Sequence, residues 1–178
     1  MTDDELIRYR RLPRMLVRKV RAGLSPTSAR AAVVEFLGSP DACVLVLSGG
    51  PGSGKSIAAA EAICGEVMGV WVEAGELTAP PDDGGFDPDK RMREFPGCVV
   101  IDDAGAEYNS GKAYAAGRIE AAIISRVNAG RRTIVTTNLP GPEFAEKYGK
   151  RVVSRVDGDP IGWRAVGNTD MRKPGSLS

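Results

Sequence analysis

The run Gly49-Gly50-Pro51-Gly52-Ser53-Gly54-Lys55-Ser56 restricts what this chain can fold into more than any other stretch. Its glycines allow consecutive backbone N–H groups to turn inward, which side chains would obstruct, and so build a concave nest for an anion. The apolar run Val44–Leu47 precedes it and a helical stretch follows. Strand, loop and helix in that order bring the positive N-terminal end of the helix to the same anion. In this pattern the lysine reaches the β- and γ-phosphates of a nucleoside triphosphate and the following hydroxyl ligates Mg²⁺. Lys55 and Ser56 take those roles, and Gly50, Pro51, Gly52, Ser53, Gly54 and Ile57 complete the expected binding loop. A glycine-rich turn matches this pattern by accident in roughly one chain of this length in a hundred, and less often with these flanks.

The rest of the chain alternates in a compatible way. Short apolar runs at Cys43–Leu47, Val70–Glu73, Cys98–Asp102, Thr133–Thr136 and Trp163–Val166 read as strands. Between them, Lys55–Glu66, Lys112–Asn128, Pro142–Tyr148 and Arg151–Val156 read as helices. That alternation predicts an α/β fold with a parallel sheet covered by helices. The segment from Thr78 to Pro88, rich in Pro, Gly and Asp, reads as a loop, part of an acidic stretch over Pro80–Asp89. A helix ending at Gly38 is expected to be capped by Ser25, with Pro26 in its first turn.

Composition removes whole classes of chemistry. With no histidine among 178 residues, every Ser-His-Asp or Cys-His scheme and every His-ligated metal site is excluded. Cys43, Cys64 and Cys98 are too few for a disulfide framework and read as reduced thiols. No apolar run approaches the roughly 20 residues a membrane-spanning helix needs, so the expectation is a cytoplasmic protein without a membrane partner. A net charge of +1 leaves nucleic-acid contact to local patches. One such patch is the opening: residues 1–30 carry eight Arg or Lys against Asp3, Asp4 and Glu5. Thr2-Asp3-Asp4-Glu5 has the form of a capping box, and Leu6, Tyr9, Leu12, Leu16 and Val20 recur at near-helical spacing, with Pro13 dividing the segment. Two readings of this basic amphipathic element stand side by side: a surface for DNA phosphate or a partner, and the solvated face of a packing helix.

Three further constellations point to triphosphate chemistry. Val99-Val100-Ile101-Asp102-Asp103 is an apolar strand ending on two acids, where a carboxylate can hold Mg²⁺ through water. Asp102 takes that role, and either Asp103 or Glu107 is the general base for the attacking water. Thr133–Leu139 is a buried strand that stops on hydroxyls and an amide. Asn138 at its tip either hydrogen-bonds the γ-phosphate or lytic water, or simply turns the chain before the helix at Pro142. Arg151 and Arg155 lie one helical turn apart, either as surface charges or as a guanidinium fork for developing phosphoryl charge.

Taken in order, the phosphate loop, Val-Val-Ile-Asp102-Asp103, Thr-Thr-Asn138-Leu and Tyr148-Gly-Lys-Arg151-Val-Val-Ser-Arg155 resemble the AAA+ ATPases of the DnaC/IstB type, over about residues 27 to 172. The resemblance implies a P-loop NTPase with a five-stranded parallel sheet in the order 5-1-4-3-2. It implies ATP and Mg²⁺ as cofactors, Asn138 as first sensor, Arg155 as a finger acting on the next subunit's ATP, Arg151 as a weaker candidate finger and Arg172 as a second sensor. The implied organisation is a basic helical extension over 1–24, an ATPase core over 25–172 and a tail over 173–178.

The implied function is ATP-dependent loading of a replicative helicase on phage or plasmid DNA by a homo-oligomer that forms with ATP, with single-stranded DNA as a further partner. Members of the family carry a separate N-terminal domain that grips the helicase. Here about 40 residues precede the first strand, so grip would fall to the basic helix around Arg8–Arg21 or to a partner. The acidic stretch Pro80–Asp89 stands where the family inserts helical structure that touches DNA. Two alternatives share the phosphate loop: a transposition regulator of the IstB kind, and a small-molecule kinase in which Arg118 and Arg126 hold the phosphoryl acceptor.

Overall fold

The computed structural model describes residues 1–23, 27–65, 68–78, 88–106 and 112–167. In chain order the elements are α1 (Asp3–Tyr9), α2 (Arg14–Arg21), α3 (Ser28–Gly38), β1 (Val44–Ser48), α4 (Lys55–Cys64), β2 (Gly69–Glu73), a 3₁₀ turn (Ala74–Thr78), α5 (Pro88–Glu94), β3 (Cys98–Ala104), α6 (Lys112–Asn128), β4 (Thr133–Thr137), α7 (Gly141–Tyr148), α8 (Lys150–Asp157) and β5 (Gly162–Ala165). The strands form one sheet in the order β2-β3-β4-β1-β5, and every pairing is parallel. This is the expected 5-1-4-3-2 order read from the other edge.

Alternation along the strands sends side chains to two cores. Leu45, Leu47, Trp71, Val100 and Ile134 face α1 to α4, while Val44, Val46, Val70, Val99 and Val135 face the helices from α5 onward. Both faces are covered, which is why the strands read as continuous apolar runs. Among the described residues no helix is long and apolar enough to cross a membrane.

Several local expectations shift. The cap of α3 is Thr27, whose hydroxyl accepts from the Arg30 N–H at 3.0 Å; Ser25 and Pro26 lie outside the described residues. Pro88 and Asp89, expected in the acidic loop, instead begin α5. Proline suits a first helical turn because its missing N–H would be unpaired there in any case. The remainder of that loop, 79–87, lies outside the described residues.

The N-terminal residues pack onto the sheet's helical layer. The capping box forms as expected and Pro13 separates α1 from α2. Leu6, Leu12, Leu16 and Val17 are buried in the same core as Phe36 and Ala59. Between the two helices, the Arg10 carbonyl accepts from the Trp71 N–H at 2.9 Å, so the connector satisfies the open edge of β2. An ion pair of 2.8 Å from Arg11 to Glu76 holds the same connector, in which Arg11 has φ +58°.

Two polar side chains fix the bottom of the sheet. Asp159 accepts from the N–H groups of Cys43 and Val44 through one oxygen and from Ile161 and Gly162 through the other, tying β1 to β5. Arg126 is fully buried and donates to the carbonyls of Met92, Phe95, Gly97 and Arg132 and to the Thr133 hydroxyl. Burial lowers its guanidinium pKa to about 10, still far above neutral pH. Arg126→Met would leave those acceptors dry and unpaired, so urea titration is expected to show a loss of about 3–5 kcal/mol.

Candidate functional site

All five strands point the same way, so their C-terminal ends gather at one edge of the sheet, where ligands of such folds bind. The phosphate loop leaves β1 there. Its first glycine is demanded by a close approach: a Cβ on Gly49 would sit 2.7 Å from the Val166 carbonyl oxygen and 2.8 Å from its side chain. Gly54, at φ +86°, is the N-cap of α4 and contributes no side chain, so the first N–H groups of α4 remain available to an anion. A cleft of about 540 Å³ opens over this loop.

Lys55 is buried, and its ammonium lies across the loop. Nζ donates to the Gly49 and Gly50 carbonyls at 2.6 and 2.9 Å, to Ser53 Oγ at 3.2 Å and to Asn138 Oδ1 at 3.1 Å. The Asn138 amide then donates through Nδ2 to Asp103 Oδ1 at 3.2 Å. Asn138 therefore bridges the loop cation to an acid on the neighbouring strand. Its amide orientation is dictated by partners that can only donate and only accept.

The strand that carries the acids is irregular where they stand. Its register against β4 shifts between Ile101 and Ala104, and Asp103 has φ +56°. A bulge re-aims side chains at a strand end. Asp102 thereby turns to Thr136, whose hydroxyl donates to Oδ1 at 2.6 Å and accepts from the Asp103 N–H at 2.9 Å. Ser56 hydrogen-bonds the same carboxylate, so hydroxyl and carboxylate oxygens converge on one side of the loop. That donor set fits Mg²⁺: hard oxygen ligands, few in number, with phosphate and water left to complete the shell. Burial raises the pKa of Asp102 above the usual carboxylate value, opposed by the Thr136 and Ser56 hydrogen bonds and reinforced by Asp103 and Glu73.

The expected site residues thus divide. Lys55, Ser56, Ile57, Asp102, Asp103, Asn138 and the loop from Pro51 to Gly54 line one cleft. Gly50 sits beneath it as a carbonyl acceptor. Arg151 and Arg155 do not line it: Arg151 is exposed on α8, and the half-buried Arg155 donates to Asn128 Oδ1 at 3.3 Å. Arg172 and Glu107 lie outside the described residues.

Arg118 and Arg126 are not available to a phosphoryl acceptor. Arg118 is buried, donating to the Leu77 carbonyl beneath the Tyr114 ring contact, and Arg126 is enclosed as described above. The cleft is also lined by Leu16, which the helical spacing marked, and by residues it did not: Met15 and Lys19 of α2, Thr27 at the N-cap of α3 and Arg30 within α3. Thr136 was legible only as a polar residue ending a buried strand.

No protein-family model and no curated protein sequence matches the chain. Solved structures do. The chain is similar to a structure described as a primosome component from Streptococcus pyogenes serotype M3, at 17% identity and TM-score 0.60, covering 87% of this chain and 88% of that one. It is similar to DnaI at 16% identity and TM-score 0.62, covering 90% of this chain and 94% of that one. A third likeness is to the replication initiator DnaA bound to AMPPCP and single-stranded DNA, at 16% identity and TM-score 0.59. There 84% of this chain covers 49% of the other, so the chain spans about half of that initiator. At these identities the likeness establishes the fold alone: a five-stranded parallel sheet between helical layers, with the phosphate loop after β1.

The desolvated Asp102 carboxylate yields a prediction with a definite sign. Because the folded pKa of Asp102 is raised, its contribution favours the folded state fully below the unfolded value of about 3.9 and is lost as pH rises through the folded value. Asp102→Asn keeps the acceptor for Thr136 and removes the buried charge. The ligand-free variant is expected to melt no lower than the parent at pH 7, with a flatter dependence of Tm on pH across the acid limb.

Proposed function

We propose that the chain is a Mg²⁺-dependent ATPase that works as an ATP-switched, self-assembling factor in DNA replication initiation, a helicase loader of the DnaC kind. The observation that carries this reading is the Lys55–Asn138–Asp103 chain of hydrogen bonds beside the Ser56–Asp102 pair. A γ-phosphate arriving on the loop competes for the Lys55 ammonium, which now rests on loop carbonyls and on Asn138. Once Lys55 turns to the phosphate, the Asn138 amide is released to the phosphate or to the attacking water. Loss of phosphate restores the closed chain. The presence of the third phosphate is thereby converted into the position of one amide at the tip of β4.

Each residue has a bounded task. Lys55 neutralises the β- and γ-phosphates, and the N-terminus of α4 adds its partial positive charge. Ser56 and Asp102 would hold Mg²⁺, which when bound supplies charge neutralisation across the phosphates. Asp103, exposed at the bulge and aligned by Asn138, orients and deprotonates the water.

The remaining charge is supplied in trans. Arg151, exposed on α8, and Arg155, half-buried and donating to Asn128, both lie outside their own cleft, as suits a guanidinium offered to a neighbour's nucleotide. Oligomerisation with ATP follows, since among the described residues neither arginine of α8 lines the cleft of its own chain. The folds shared with DnaI and with the primosome component support replication initiation as the setting and a replicative helicase as the partner. The single-stranded DNA held by the DnaA neighbour supports a DNA contact.

Mixing two inactive variants tests the trans arrangement. Lys55→Ala loses its own nucleotide site and Arg155→Ala loses its finger, so each alone is expected to show little turnover. An equimolar mixture is expected to regain about a quarter of wild-type activity, because some interfaces pair an intact loop with an intact arginine. Arg155→Ala that retains full turnover and nucleotide-dependent mass, measured by light scattering, would overturn the assignment.

A further inference from the structure

The solvent face of α2 carries charge that the fold does not use. Leu16 and Val17 turn inward, to the core they share with Phe36 and Ala59. On the other side Arg14, Arg18 and Arg21 stand at i, i+4 and i+7, one exposed stripe about 10 Å long at the ordinary helical rise. The helix has no acid of its own. Arg21 meets Asp3 at 3.0 Å in an exposed pair, whereas Arg14 and Arg18 have neither an ion pair nor a side-chain hydrogen bond among the described residues. Cations elsewhere are spent on the fold: Arg11 on Glu76, Arg30 on Glu61, Arg164 on Glu35, and Arg132 on the carbonyls of Leu37 and Ser39.

Such a stripe works against the helix that carries it. Arg14 occupies the first turn, where the backbone already presents positive charge, and no side chain caps that end. Arg14 and Arg18 repel each other from one turn to the next. A polyanion laid along the face would remove both penalties at once.

We infer that the arginine stripe of α2 is a DNA-binding surface that grips the phosphate backbone without regard to sequence. That the polyanion is DNA rests on the replication reading given above; the demand for phosphate rests on the stripe itself. Guanidinium groups pair bidentately with phosphate, and each phosphate they neutralise releases condensed counterions. With a net charge of +1 the chain has no general attraction for nucleic acid, so a local face must supply it. The stretch after β2 has the wrong sign for the task, since Glu73, Glu76, Asp82, Asp83, Asp87 and Asp89 repel phosphate. Of the two readings of the basic opening, the structure thus favours the surface over the merely solvated face.

Fluorescence anisotropy on the full chain without nucleotide tests this, with a labelled thymidine strand of about 30 nucleotides and a labelled mixed-sequence duplex of about 30 base pairs, over roughly 50 to 300 mM salt. Arg14→Gln/Arg18→Gln is expected to raise Kd about tenfold or more. It is also expected to flatten the slope of log Kd against log salt by about 1.4 on the strand or about 1.8 on the duplex. Arg18→Gln alone is expected to take about half of that change, and Lys150→Gln, an exposed cation on α8, none of it. Loss on either DNA supports the stripe, and the tighter of the two identifies the source of the phosphates. Both arginines are exposed, so circular dichroism is expected to show a folded double variant with Tm no lower than the parent, and its ATP turnover is expected to match wild type. Three results overturn the inference: a wild type that binds neither DNA at the lowest salt, a double variant that binds as wild type does, or one whose mass by light scattering falls together with its DNA affinity. In the last case the stripe joins copies of the chain. A wild type that binds DNA through the stripe but hydrolyses no ATP sinks the proposed function and leaves this surface standing.

Discussion

One short hydrogen bond, from the Thr136 hydroxyl to the Asp102 carboxylate, sets the geometry on which the cleft depends. Thr136 is buried at the end of β4 and Asp102 is half-buried at the end of β3. Without that hydroxyl the carboxylate would be desolvated with one partner fewer, and a buried acid in that condition takes up a proton in place of a metal ion. The same oxygen accepts from the Asp103 N–H, so one hydroxyl also pins the bulge that turns Asp103 outward. Two adjacent acids thus acquire different environments. Asp102 is desolvated and directed to Ser56, while Asp103 is exposed and directed to Asn138.

The bulge has an energetic meaning. A left-handed backbone at a residue other than glycine costs of order 1 kcal/mol, with aspartate among the residues that tolerate it best. Here the cost is offset by the hydrogen bond that the Asp103 N–H donates to the Thr136 hydroxyl and by the one its carboxylate accepts from the Asn138 amide. Local strain and a raised carboxylate pKa fall at the same strand tip. Both are unfavourable for folding, and such strain and pKa shifts cluster at functional sites.

Buried arginine shows how the same residue type can belong to the frame and not to the chemistry. Arg126 resembles a catalytic cation in sequence, yet its five donors are used up on four carbonyls and a hydroxyl. Those acceptors come from the end of α5, the start of β3 and the start of β4, so a single side chain holds together three elements beneath the sheet. Arg151 and Arg155, by contrast, have no such enclosure, and α8 buries only its valines Val152 and Val156.

The phosphate loop, the strand before it and the helix after it were legible because their pattern is local: glycine, lysine and hydroxyl at fixed spacing between an apolar run and a helix. The five strands were legible for a related reason, since strands buried on both faces are continuous apolar runs whose ends are marked by polar residues. Strand order came from resemblance and not from periodicity. What the linear chain did not reveal lies in contacts between distant residues: Thr136 with Asp102, Asp159 with β1, Arg126 with its carbonyls, and α2 against the phosphate loop. The sequence by itself determined that a triphosphate-type anion nest sits between a buried strand and a helix, because backbone conformation there is decided by nearest neighbours. Only the tertiary structure decided which acid is buried, which arginines are spent and which helix closes the cleft, because burial and hydrogen-bond partnership are properties of the packed chain.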